Sequence, residues 1–105
     1  MGELVGAYRP LELDTTAGAL AARLYPVDGA RAGIVLLDGS SPELWQSQGV
    51  CAIVPTFKDP ADAPGCVLEG LLCAYLLREQ GLVQVLAAGP GAEELARVLP
   101  GVEVA

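Results

Sequence analysis

Few side chains in this sequence have the type and spacing for chemistry. The sharpest pattern is residues 82–98, LVQVLAAGPGAEELARV. An apolar run (82–88) enters the tight turn Gly89-Pro90-Gly91, and a helix opening on Glu93 and Glu94 follows at once. Strand, glycine-rich turn and helix in immediate succession present groups at the carboxyl end of an open α/β sheet, where ligands usually bind. The turn could offer its backbone to an anion at the helix start. It does not complete G-x-G-x-x-G, because the third position falls on Glu94, whose charge repels a phosphate. A second cluster, Asp38-Gly39-Ser40-Ser41, follows another apolar run and offers an acid and two hydroxyls. Neither serine has a base beside it in sequence. Asp38 reads first as a turn former, since Asp-Gly is a common turn pair. Lys58, the only lysine, falls in a proline-rich loop where it could pair with Asp38 or Asp59, although a solvated loop lysine is the simpler reading.

The chain contains no histidine. That removes the commonest general base and the commonest metal ligand. Cys51, Cys66 and Cys73 are odd in number and form no C-x-x-C, which argues against a disulfide framework and against a zinc site. On a shared helix, Cys66 and Cys73 would stand ~10 Å apart along the axis, beyond the ~7 Å Cα separation a disulfide tolerates. Buried small hydrophobes are the expected role for all three. No metal and no cofactor is expected.

Charge narrows the partners. Thirteen acidic residues against 6 basic ones give a net charge of −7, which repels nucleic acid and anionic membrane surfaces. The opening MGELVGAYRP lacks the basic and apolar regions of a signal peptide, and Gly6 stands where a myristoylation signal wants Ser or Thr. No apolar run approaches the ~20 residues of a membrane span. A cytoplasmic location is therefore expected. With 105 residues, 52% of them apolar, the chain is long enough for one domain with a real core, and residues 1–105 are read as such.

The elements that must position these groups follow from pattern. Residues 3–9 and 11–15 are weakly apolar and separated by Pro10; 15–18 read as a turn, and 19–25 (ALAARLY) as a strand hemmed in by Gly18 and Pro26. These form an N-terminal hairpin over about 3–25. Residues 33–38 (GIVLLD) are a branched apolar run, the mark of a strand buried on both faces. Ser41 is expected to cap a short helix, 42–48, with Pro42 at its first position. Residues 50–55 are the next buried strand, and 56–65, with Pro60 and Pro64 after Pro55, a loop. Residues 66–80 form the longest helix, apolar nearly all round. Residues 82–88 are a third buried strand, 92–99 a helix, and 102–105 the start of a further strand. Residues 33–105 thus read β-α-β-α-β-α-β with short connections, a parallel doubly wound sheet between helix layers.

These residues carry a resemblance. The segments ALAARLYPVDGARAGIVLLDGSS, VCAIVPTF, LCAYLLREQG and VQVLAAGPGA, in this order and spacing, resemble the first half of an α/β-hydrolase, near the dienelactone hydrolases. The resemblance implies a three-layer α/β/α fold with strand order 1-2-4-3-5-6, and a truncated core, since it spans about half of a typical hydrolase. Its register puts Ala87, Gly89 and Gly91 on the G-x-S-x-G elbow of that family. Gly89 then stands at the nucleophile without a side chain, and Pro90 stands at the oxyanion-hole donor without an N–H. Asp38 stands where the family's third-strand turn carries a histidine. A triad base could not come from this sequence.

The expectation is a catalytically inactive hydrolase-like domain serving as a binding or assembly module. Its candidate ligand site is the strand edge formed by Asp38, Gly39, Ser40, Gly89, Pro90 and Gly91. A residual hydrolase of small esters or lactones using Asp38 with Ser40 or Ser41, and a small-ligand or anion binder at 89–91, are the alternatives. For partners, a homodimer is expected, with an unidentified protein partner also open. Leu68, Leu72, Tyr75 and Leu76 cannot share one ~100°-wide apolar stripe with Val67, Leu71 and Ala74, so the long helix needs a second cover.

Overall fold

The computed structural model describes residues 8–15, 18–38, 41–57, 61–82 and 84–105. Among them the chain runs β1 (Arg9–Thr15), β2 (Gly18–Tyr25), β3 (Ala32–Leu36), α1 (Pro42–Ser47), β4 (Cys51–Thr56), α2 (Ala63–Glu79), β5 (Gln84–Ala88), α3 (Ala92–Val98) and β6 (Val102–Val104). One six-stranded sheet forms in the order β1-β2-β4-β3-β5-β6. β3, β4, β5 and β6 pair in parallel, whereas β2 is antiparallel to both β1 and β4. This is the expected order, with the three branched apolar runs on the three central strands.

Alternation along β3 explains the layers. Val35 and Leu37 face α2 and α3 and join Cys73, Ala74, Leu77 and Leu95 in the larger core cluster. Ile34 and Leu36 point the other way, to a smaller cluster with Tyr25, Ala52, Val54 and the α1 residue Trp45. Ile34 and Val35 are both fully buried, so the sheet is covered on both faces at β3, as a parallel sheet requires. α2 comes close enough to the sheet that a Cβ on Gly70 would lie 2.7 Å from a methyl of Leu37.

The structure corrects several sequence expectations. Pro10 does not divide two segments; it lies within β1, an outer strand, where a residue lacking an N–H is tolerated. Thr15 and Gly18 are paired strand ends, and residues 16–17 lie outside the described residues. Thr56, expected to open the loop, still belongs to β4, where it pairs with Ala21 of β2. α2 begins at Ala63, three residues early, because the Asp62 carboxylate accepts the Gly65 N–H at 3.2 Å and Pro64 fits the first turn. Ser41 makes no side-chain cap. Its backbone is left-handed (φ 53°), and its carbonyl, not its hydroxyl, receives the Leu44 N–H at 3.1 Å. β5 is less buried than expected: Gln84 is exposed, and Leu86 and Ala88 are half-buried. The helix on this face, α1, is six residues long and packs chiefly on β4 and β2.

Candidate functional site

Parallel strands β3 and β5 end side by side, with Leu36 paired to Ala88 and the Leu37 N–H donating to the Ala88 carbonyl at 2.9 Å. The chain then leaves β3 through Leu37-Asp38 and β5 through Gly89-Pro90-Gly91. Two turns therefore meet at the carboxyl edge of the sheet, as the sequence pattern predicts. Gly89 has φ +101° and Gly91 φ +92°, both in the left-handed region that favours glycine. The turn is closed by the Ala92 N–H on the Gly89 carbonyl (3.1 Å) and the Leu95 N–H on the Gly91 carbonyl (3.0 Å), which start α3.

The contact between the two turns is tight. A Cβ placed on Gly89 would lie 2.9 Å from the Asp38 backbone nitrogen, 3.1 Å from its Cγ and 3.2 Å from its Cβ. Asp38 thus occupies the space a side chain at position 89 would need. Gly91 is less confined, its nearest neighbour being a Val67 methyl at 3.4 Å.

A cleft of about 710 Å³ opens above these turns. Leu37 and Asp38 come to it from the end of β3, Pro90, Gly91 and Glu94 from the elbow and α3, and Phe57 from the segment after β4. Pro64, Cys66 and Val67, on the first turns of α2, close the remaining side. Most of this surface is carbon. Among the described residues, the ionisable carboxyls in the lining are those of Asp38 and Glu94, both on exposed residues. Glu94 is held by Arg97, whose Nη1 donates to its two carboxylate oxygens at 3.0 and 3.2 Å. The pair is on the surface and adds little stability.

Of the residues singled out from sequence, Asp38, Gly89, Pro90 and Gly91 are brought together here. Gly39 and Ser40 lie outside the described residues, as does Lys58. Ser41 opens α1 and does not line the cleft. Phe57, Pro64, Cys66 and Val67 escaped sequence reading as site residues. Nothing in their types announces a ligand; only the packing of the first turns of α2 beside the strand ends assembles them.

None of the three cysteines forms a disulfide. Burial pushes the Cys73 thiol up to about 12, with the Glu69 charge adding to it. Burial also raises Cys51, against the opposing pull of a backbone hydrogen bond from Val27 and of Arg9. Both act as small apolar core groups. Among the described residues, no group of three or more potential ligands is arranged to hold a metal ion. No helix described is long and apolar enough to cross a membrane.

No family model matches the sequence, and no curated protein is significantly similar to it. Solved structures do match. A protein of unknown function from Agrobacterium tumefaciens, described as a candidate α/β-hydrolase, superposes with TM-score 0.75 at 14% identity over 90% of this chain and 57% of its own. A lidless α/β serine hydrolase from Xanthomonas campestris gives TM-score 0.62 at 15% identity, covering 85% and 53% respectively. An arylesterase gives 0.68 at 16% identity, covering 94% and 43%. The chain thus spans about half the length of the structures it matches. With the strand order, the helix layers and the strand-turn-helix at Gly89 in place, these likenesses give the chain the fold of the α/β-hydrolases.

Proposed function

We propose that this chain is a non-catalytic member of that fold, a domain that holds a small molecule in the cleft at the strand ends without turning it over. One observation carries the reading: position 89, where the resemblance puts the nucleophile, is a glycine whose side-chain space is taken by Asp38. Two facts of sequence support it. Pro90 brings no N–H to the position of the oxyanion-hole donor. No histidine is present to act as a base. The cleft itself is of the size and apolar character of small-molecule sites.

The test pairs an activity with a binding measurement on the purified chain. Hydrolysis of p-nitrophenyl acetate and butyrate should not exceed buffer, whereas Nile red, an uncharged apolar dye, should bind saturably. Phe57→Ala should weaken that binding, which separates the cleft from apolar surface elsewhere. Turnover that survives repurification and falls with Asp38→Asn, Ser40→Ala or Ser41→Ala would overturn the proposal in favour of a residual hydrolase.

A further inference from the structure

We draw no further inference here: the strongest candidate, the surface at the outer edge of β6 where Val98 of α3 and Val104 of β6 are exposed, carries nothing because nothing in the structure shows what covers it.

Discussion

Placing a side chain at position 89 tests the geometry of the two turns most directly. Gly89→Ser must adopt φ near +101°, which costs a residue with a Cβ about 1–2 kcal/mol. It must also find room for a Cβ 2.9 Å from the Asp38 backbone nitrogen. That nitrogen is main chain at the end of a buried strand and cannot swing aside as a side-chain tip would, so overpacking adds about 1–3 kcal/mol. The sum, about 2–5 kcal/mol, is a large share of the roughly 5–15 kcal/mol stability of a domain this size. It should lower the urea midpoint by about 1–3 M with little change in slope. Two controls divide the loss. Gly91→Ala meets a similar φ, +92°, but nothing nearer than 3.4 Å, so it should show the backbone cost alone. Adding Asp38→Gly to Gly89→Ser removes the contacts at 3.1 and 3.2 Å but not the one at 2.9 Å, and should restore only part of the stability. The serine variant should gain no esterase activity, because no base accompanies the hydroxyl. A Gly89→Ser protein as stable as the parent, or no less stable than Gly91→Ala, would refute the close approach of the turns.

Three further outcomes are expected. In the native protein Cys66, half-buried at the cleft, should react with Ellman's reagent well before the buried Cys51 and Cys73, whereas three thiols should react at once in denaturant; simultaneous native labelling of all three would contradict the packing of α2. Cys73 titrates near 12 when folded and from 9.0 when unfolded. Over that interval the unfolded chain holds fewer protons, so stability should fall with rising pH by about 1.4 kcal/mol per unit above pH 9. Cys73→Ala should lessen that slope, the raised Cys51 thiol keeping its share, and a stability flat to pH 11 would count against it. Leu68 and Tyr75, 54% and 47% exposed and two turns apart on α2, should be covered by a second copy of the chain. Sedimentation at micromolar concentration should then give twice the chain mass, and Leu68→Glu with Tyr75→Glu should halve it; a monomeric parent would exclude the homodimer.

Hydrophobic pattern and turn chemistry determined most of the fold. The apolar runs at 33–38, 50–55 and 82–88 read as strands buried on both faces, because no amphipathic period divides them; β3, β4 and β5 form there, although β5 has one face only half covered. Glycine at 89 and 91 marked the positive-φ turn after β5, a local property that a sequence displays directly. Composition alone removed histidine chemistry. Local signals failed where two cues competed: Pro64 looked like a helix breaker, but Asp62 made it a first-turn residue, and Ser41 looked like a cap, but the path of the chain into α1 left it in the left-handed region.

What only the tertiary structure decided was the surroundings of those groups. Asp38 and Gly89 are fifty-one residues apart in sequence, and their contact exists because β3 and β5 are sheet neighbours that end at the same level. The cleft needs the first turns of α2 beside those strand ends, which puts Cys66 and Val67 in one lining with Phe57 and Pro90. The half-exposure of Leu86 likewise goes with a six-residue helix that packs chiefly on β4 and β2. Such facts depend on which elements pack together and at what height. Neither is a property of any one segment, so no periodicity within a segment could have announced them.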